Sequence, residues 1–201
     1  MITEIYGLPG SGKTTIIKNL TGGSATSVSA EKGIKSFIMS FAKKWVVYFP
    51  SSMSCKKRMK LVLKAYKEPQ YVKRTKREQC NSIALVLFGY NHIQNDIYMD
   101  EGIIHRTVTL AVNYGLSDHD FFTLIGIFGP VIKQIKCFYL EISLQDAFRA
   151  IRKRNRHACE MDEFDDDELI QYLKAYEHYF RLVHNHFNHN IVTRNNYEIM
   201  R

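Results

Sequence analysis

The most constraining feature of this sequence is a glycine-rich stretch near its start. Residues 7–14 read Gly-Leu-Pro-Gly-Ser-Gly-Lys-Thr and fill the pattern G-x-x-x-x-G-K-[ST] of a phosphate-binding loop. An apolar run, 2–6, precedes this loop, and a helix-like run, 13–20, follows it. Since this strand–loop–helix context is the one that the pattern requires, we expect the loop to bind the phosphates of a nucleotide.

The residue types in the loop explain how it would hold a polyphosphate. Glycines allow backbone N–H groups to approach the phosphates closely, and the following helix presents its positive end. Lys13 is expected to reach the β- and γ-phosphates, and the hydroxyl of Thr14 is expected to ligate Mg²⁺. The sequence therefore predicts ATP and Mg²⁺ as cofactors, held by Gly7, Leu8, Pro9, Gly10, Ser11, Gly12, Lys13, Thr14 and Thr15.

The order of predicted elements indicates the fold class. Strands alternate with helices, and the strands are predicted at 2–6, 24–30, 97–100, 135–142 and 190–193. Such alternation led by a phosphate loop predicts an α/β protein, a P-loop NTPase with three α/β/α layers and a parallel sheet of about five strands. At 201 residues, the chain is expected to form a single domain, 1–201.

An acidic pair follows the predicted strand at 97–100. Asp100 and Glu101 would be delivered to the phosphate site, because ligands gather at the carboxyl ends of parallel strands. A carboxylate there could hold Mg²⁺, for which Asp100 is the candidate with Thr14, or accept a proton from an attacking hydroxyl. Arg106, on the next predicted helix, could face the same crevice and contact the substrate.

Arginines cluster at the end of a later predicted helix. Ser143 precedes this helix and Asp146 follows three residues on, which is a capping-box pattern. The helix runs into a polar segment, and together residues 149–165 are predicted to form a lid. Arginines that close over a transferring phosphate stabilise its charge, so we expect catalytic roles for Arg152, Arg154 and Arg156.

A basic segment lies between the second and third predicted strands. Residues 41–80 hold twelve Lys or Arg against two acids, in a chain with a net charge of +8. Helices are predicted at 34–49, 53–67 and 70–90, so that 34–90 forms a helical insertion. These cations could form a solvated face, or segment 43–77 could face an anionic substrate or a nucleic acid.

The remaining composition indicates a cytoplasmic protein. Four scattered cysteines form no C-x-x-C pair and are expected to be reduced thiols. Met1 stands almost directly before the first predicted strand, so we expect no signal peptide, and no apolar run is long enough to span a membrane. The oligomeric state cannot be predicted from the sequence.

Several of these stretches resemble one family of enzymes. The loop 7–15 looks like that of small P-loop kinases, while 142–154 and 173–176 resemble the lid region of the thymidylate kinase and deoxynucleoside kinase group. Glu31-Lys32-Gly33 is similar to the Glu-Pro-Gly of that group, without the proline, and the resemblance implies that Glu31 approaches the acceptor. It also implies that Arg152, Arg154 and Arg156 are lid residues, and that the acceptor rests against the helices between the second and third predicted strands, which include the basic segment.

The sequence departs from this family at the end of the third predicted strand. The family places Asp-Arg or Glu-Arg there, whereas this chain has Asp100-Glu101-Gly102 and an arginine only at 106. The resemblance therefore implies ATP-dependent phosphoryl transfer to a small acceptor, with a nucleoside or nucleotide in first place. A sugar or sugar-phosphate kinase, a nucleic-acid or tRNA kinase, and a nucleotide-binding switch with slow ATPase activity stay open.

Overall fold

A computed structural model describes residues 1–22, 50–90, 96–154 and 160–200. Its centre is a parallel sheet in the strand order β2–β1–β3–β4, made of β1 (Ile2–Tyr6), β2 (Ile97–Met99), β3 (Lys136–Leu140) and β4 (Asn190–Val192). The α/β class with a parallel sheet is thus confirmed. Four strands lie in the described ranges, and the strand predicted at 24–30 falls outside them.

Eight α-helices and two short 3₁₀ turns accompany the sheet in the described ranges. The helices are α1 (Lys13–Leu20), α2 (Pro50–Val62), α3 (Lys76–Tyr90), α4 (Ile103–Tyr114), α5 (Asp118–Gly126), α6 (Gly129–Ile132), α7 (Leu144–Arg154) and α8 (Asp166–Phe187). The 3₁₀ turns span Glu160–Asp162 and Tyr197–Met200. The helix predicted at 34–49 lies outside the described residues.

The helices of the basic segment differ in extent from the prediction. The helix predicted at 53–67 begins at Pro50 and ends at Val62, and the one predicted at 70–90 begins only at Lys76. Thr75 starts this second helix, because its hydroxyl accepts from the Glu78 N–H while the Glu78 carboxylate accepts from the Thr75 N–H. The predicted boundary at Pro69 missed this capping box.

Other helix ends follow the chemistry of their sequence. The hydroxyl of Ser143 accepts from the Asp146 N–H at 3.1 Å, and the Asp165 carboxylate accepts from the Glu168 N–H at 2.8 Å. α5 ends at Gly126, and Gly129-Pro130 opens the short helix α6. Proline suits a first helical turn because the N–H that it lacks has no partner there.

Helices cover both faces of the sheet. On β1, Ile5 points to one face and packs with Ile16 and Ile17 of α1. Tyr6 points to the other face and joins the larger core formed with the helices of the second layer, including α4 and α8. The sheet is therefore the middle of three layers, as predicted. None of the helices in the described ranges is long and apolar enough to cross a membrane.

Candidate functional site

The loop between β1 and α1 lies against one wall of a cleft with a volume of about 660 Å³. Its residues 9–15 line the cleft. Gly10 has a φ of +78°, and a Cβ added there would lie 2.8 Å from the carbonyl oxygen of Ala147. Only glycine fits this close approach between the loop and α7, so the predicted phosphate loop has the backbone that its sequence requires.

Lys13 occupies the base of this loop. Its ammonium donates to the carbonyl oxygens of Gly7 and Leu8, both at 2.8 Å, and to the hydroxyl of Ser11 at 3.3 Å. Burial lowers the pKa of Lys13 to about 8, although Asp100 and Glu101 act in the opposite direction. A poorly solvated cation, held in place by the loop itself, is well suited to stabilise phosphate charge.

Arg194 supports the loop from another direction. It lies just after β4, and its guanidinium donates to the carbonyl oxygens of Ser11 and Gly10 at 2.9 and 3.1 Å. This arginine is not among the residues that line the cleft. These two hydrogen bonds give the loop carbonyl groups a partner from outside the loop. The backbone N–H groups of the loop can then serve a bound anion.

The predicted pair of metal ligands is brought together by the sheet. Because β1 and β2 are parallel neighbours, the loop after β1 meets the residue that follows β2. The Thr14 hydroxyl donates to one carboxylate oxygen of Asp100 at 2.6 Å, while the other oxygen is buried without a partner. A hydroxyl and a carboxylate are oxygen ligands of the kind that Mg²⁺ uses beside substrate phosphates, so the residues fit this ion.

Glu101 and Arg106 contact one another and line the same cleft. The Arg106 guanidinium donates to the carbonyl oxygen of Glu101 at 3.1 Å and to its carboxylate at 3.4 Å. This arginine comes one helical turn later than in the family pattern, yet it reaches back beside position 101. Arg106 thus lines the cleft, and its contact with a substrate stays a prediction.

The lid arginines do not share one environment. Arg154 lines the cleft and donates to the buried carboxylate of Asp162 at 2.7 Å. Arg152 lies outside the cleft lining and donates to the Asp166 carboxylate and to the carbonyl oxygen of Phe164. Arg156 and the predicted acceptor residue Glu31 fall outside the described residues.

The resemblance places the acceptor against the helices between the second and third strands, but the individual residues of the wall facing the phosphate loop were not predicted. This wall comes from α3, α4, α8 and the segment before α3, and its side chains include Val72, Arg74, Gln79, Ser82, His105, Thr109, Tyr172 and Tyr176. Tyr176 falls in the stretch 173–176 that resembles the lid region, Arg74 lies in the basic segment 43–77, and no motif marks the others. The one available signal was indirect, since polar residues such as Gln79 and Thr109 interrupt otherwise apolar helices.

Hydrogen bonds fix much of this wall. Tyr172 donates to Tyr176, Tyr176 donates to the Thr109 hydroxyl at 2.8 Å, and Thr109 donates to the carbonyl oxygen of His105 at 2.9 Å. The side chain of Gln79 donates to the carbonyl oxygen of Arg74 at 3.0 Å. This donor leaves the Gln79 amide oxygen as the group available to accept a further hydrogen bond.

His105 is a neutral residue in this wall. Its ring packs near those of Tyr176 and Phe180, with centroid distances of 5.9 and 5.7 Å. Burial, assisted by the cations Lys13 and Arg106, lowers the pKa of His105 well below its ordinary value. A neutral imidazole can accept a hydrogen bond without adding charge to the cleft.

Unpartnered polar groups concentrate around the cleft. Within the described ranges, four buried side-chain atoms have no hydrogen-bond partner, and three belong to cleft residues: Gln79 Oε1, Asp100 Oδ1 and His105 Nδ1. A buried polar group without a partner costs about 1–3 kcal/mol. Because folded proteins seldom leave buried polar groups without partners, their concentration here marks the cleft as a candidate ligand site.

Comparison with known proteins supports the fold. No protein-family model and no curated protein matches the sequence. The structure is similar to that of a deoxyadenosine kinase from M. mycoides with bound dATP, with a TM-score of 0.53 and 17% identity over 100% of this chain and 96% of that chain. The same kinase with the products dCMP and a flexible dCDP gives 0.48 and 16% over the same shares. The first match shows that the chain has the same fold as that kinase.

Proposed function

We propose that this protein is a phosphotransferase that moves the γ-phosphoryl group of ATP, with Mg²⁺, to a nucleoside or nucleotide. One observation carries the proposal. The phosphate loop with Lys13 and the Thr14–Asp100 pair opens into a cleft whose opposite wall holds unpartnered polar groups. A cleft with a phosphate site at one wall and a second recognition surface at the other suits transfer between two bound substrates.

The phosphate wall would hold the nucleotide. Backbone N–H groups within residues 10–14, which include the start of α1, would surround the β- and γ-phosphates, with the Lys13 side chain beside them. Thr14 and Asp100 would hold Mg²⁺, which when bound supplies charge neutralisation between the phosphates. The side chain of Arg154 is near enough to the cleft to join the transferring group.

Asp100→Asn is expected to raise the Mg²⁺ concentration that half-maximal transfer requires, by about tenfold or more. The amide keeps the size of the side chain but weakens its attraction for a divalent cation, while Thr14 can still donate to its oxygen. The measurement is a Mg²⁺ titration of initial rates at saturating ATP. Glu163→Gln, outside the cleft lining, is the matched control, and an unchanged titration for Asp100→Asn would remove this residue from the metal site.

The opposite wall favours a flat, polar acceptor. Tyr172, Tyr176 and Val72 offer apolar surface, while Gln79 and His105 offer hydrogen-bond acceptors. Nucleobases present a flat face together with N–H donors at their edge, and this combination matches the wall better than the hydroxyl-covered surface of a sugar. The acceptor is therefore proposed to be a nucleoside or nucleotide whose base donates toward Gln79.

The acceptor hydroxyl requires a base or a polarising carboxylate. The Asp100 carboxylate already accepts a hydrogen bond from Thr14, and the half-exposed Glu101 carboxylate already pairs with Arg106. A further carboxylate is therefore needed for the acceptor. We propose that Glu31, implied by the family resemblance, contacts the acceptor.

Glu31→Gln is expected to lower kcat/KM for the acceptor by roughly a hundredfold or more, because the amide cannot take up a proton. Binding of ATP should stay within twofold, since the phosphate loop and the Thr14–Asp100 pair are unchanged in this variant. Steady-state kinetics with each substrate varied separately, together with direct ATP binding, provide the measurement. A normal acceptor dependence in this variant would exclude Glu31 as the acceptor carboxylate.

The experiment that tests the proposed function is a screen of acceptors with γ-labelled ATP. Nucleosides, nucleoside monophosphates, sugars and sugar phosphates are supplied singly, and labelled product is separated from released phosphate. Product that forms only with a nucleoside or nucleotide supports the proposal. Product with sugars alone would move the assignment to a sugar kinase, and phosphate release without any acceptor product would indicate a nucleotide-dependent switch.

A second candidate function rests on exposed cations in α2 and just after it. Lys57, Arg58, Lys60 and Lys64 are exposed, and none of them forms an ion pair within the described residues. This surface suits a phosphate backbone, so the acceptor would be the end of a nucleic acid. Binding of RNA or DNA that weakens steeply with salt, together with labelling of its end, would favour this candidate. A cytoplasmic location, where ATP is available, is proposed in either case.

A further inference from the structure

Glu4 is a fully buried carboxylate that the proposed mechanism does not use. It lies in the middle of β1, three residues before the phosphate loop, and has no exposed surface. Within the described residues no cation pairs with it. The titratable groups that act on it are Tyr90 of α3, Cys137 of the neighbouring β3 and Tyr6 of its own strand. An ionised group in such a place needs another source of stabilisation.

The first turn of α4 supplies that stabilisation. The Glu4 carboxylate accepts from the N–H groups of His105 at 3.0 Å and Ile104 at 3.3 Å, and from the Tyr90 hydroxyl at 3.1 Å. The same Tyr90 oxygen accepts from the N–H of Ile103 at 3.1 Å. Three N–H groups that open the helix thus find their partners in a strand and another helix, because Gly102, at the N-cap position, has no side chain.

Gly102 shows how tightly these groups are joined. A Cβ at this position would collide with the carboxyl group of Glu4 and with the hydroxyl of Tyr90. The φ of Gly102 is −76°, which other residues adopt freely, so the need for glycine here is one of space. The glycine in Asp100-Glu101-Gly102 is therefore explained by the carboxylate beneath it.

The hydrogen bonds between Glu4 and α4 lie directly beside the cleft residues. Asp100 and Glu101 precede the first turn of α4, and His105 and Arg106 lie within it or directly after it. Glu4 itself belongs to the strand that continues into the phosphate loop. Glu4 and its hydrogen bonds therefore join β1 to the first turn of α4, in addition to the hydrogen bond between Thr14 and Asp100.

We propose that Glu4, with Tyr90 and Gly102, is a positioning unit that sets the acidic strand end and the first turn of α4 relative to the phosphate loop. Glu4 is not a catalytic residue, because it lies outside the cleft lining and its oxygens face backbone N–H groups. The functional part of this inference rests on the proposed phosphoryl transfer. The anchoring itself does not.

Glu4→Gln tests the unit with almost no change in volume. The NH₂ group of the glutamine side chain would face the backbone N–H of either Ile104 or His105. Two donors cannot bond one another, so one of these two hydrogen bonds is lost. We expect kcat to fall about ten- to a hundredfold while KM for ATP stays within twofold, since displacements of about 1 Å at a reacting centre have effects of this size. Ile5→Val, on the same strand but facing α1, is the matched control and should leave kcat within twofold.

Hydrogen exchange measures the anchoring without any enzyme assay. The N–H groups of residues 103–105 should exchange faster in Glu4→Gln than in the wild type, whereas those of β1 should not change. If the wild type transfers no phosphoryl group, the proposed function fails, and the exchange pattern still decides whether Glu4 holds this turn. Unchanged exchange at 103–105, or changed exchange with a normal kcat in an active enzyme, would overturn the inference.

A coupled pair of substitutions separates positioning from general damage. Gly102→Ala alone should reproduce the loss of kcat, because the added Cβ has no room. In the Glu4→Ala, Tyr90→Phe background the colliding groups are gone, so the same Gly102→Ala change should lower kcat less than twofold further. If Gly102→Ala lowered kcat as much in that background as in the wild type, the proposal that the three residues act together would be wrong.

The pH dependence of stability gives a last check. Burial, which outweighs the backbone donors, raises the pKa of Glu4 from 4.5 to about 7. Between these values the folded state binds a proton that the unfolded state has released, so this group makes the free energy of unfolding decrease as pH rises from about 4.5 to about 7. Glu4→Gln should remove this contribution from a series of thermal unfolding curves, and an identical slope in both proteins would show that the carboxylate is not held as described.

Discussion

Lys13→Ala is expected to lower kcat by roughly a thousandfold or more while the protein stays folded. The ammonium sits at the base of the phosphate loop, where burial makes its interaction with growing phosphate charge strong. Methyl replacement removes that charge at the point where the transition state needs it. Turnover with the best acceptor from the screen, measured at saturating ATP, checks this prediction.

Two further measurements make the Lys13 result specific. Lys18→Ala removes an exposed cation from the same helix and should leave turnover within twofold. Since the pKa of Lys13 in the free protein is lowered to about 8, kcat/KM for ATP should decrease as pH rises through 8, where the charged form is lost. Turnover that survives Lys13→Ala would contradict the phosphate-loop assignment.

Arg154→Lys is expected to lower turnover by roughly a thousandfold, with only a modest loss of ATP affinity. Arg154 is the lid arginine that the described structure brings to the cleft lining. A lysine keeps the charge but cannot offer a planar, bidentate grip on phosphate oxygens. An arginine that acts on the transition state contributes about a thousandfold or more.

Arg152→Lys provides the matched control, because its partners Asp166 and Phe164 lie away from the cleft. That variant should retain turnover within about threefold. Asp162→Asn adds an independent test, because Arg154 must break its ion pair with this carboxylate before it can bind a phosphate. Weakening the pair should change turnover in this variant but not in Arg152→Lys. Normal turnover in Arg154→Lys, or an equal loss in both lysine variants, would reduce the cluster to a charge pattern at a helix end.

Local patterns were sufficient to predict the phosphate end of the cleft. The loop and its lysine are contiguous in sequence, so the motif contains nearly all of the geometry. Asp100 could be placed because parallel strands bring their carboxyl ends to one edge. Each of these inferences depends on neighbours in sequence or on one rule of topology.

The individual residues of the wall facing the phosphate loop could not be predicted from local patterns. Gln79, His105 and Tyr176 come from three different helices, and only tertiary packing brings their side chains together. The segment 70–74 is likewise held from outside, since the Asn113 side chain bonds the N–H and carbonyl groups of Val72. No spacing in the sequence records these contacts.

The roles of Arg152 and Arg154 could be predicted only in part. Arg152 and Arg154 are two residues apart on α7, and such residues point to different sides of a helix. Helical geometry alone therefore predicts that they cannot serve the same site. Which of them faces the cleft depends on Asp162 and Asp166, whose positions follow from the segment beyond α7.

The support of the phosphate loop by Arg194 has a consequence for the order of folding. The loop is synthesised well before Arg194, whose guanidinium binds its carbonyl groups and which follows β4 in the chain. β1 likewise pairs with two strands that are made much later. Contacts between such distant parts of a chain form slowly, so a growing polypeptide on the ribosome should acquire affinity for ATP only when β4 and Arg194 have emerged.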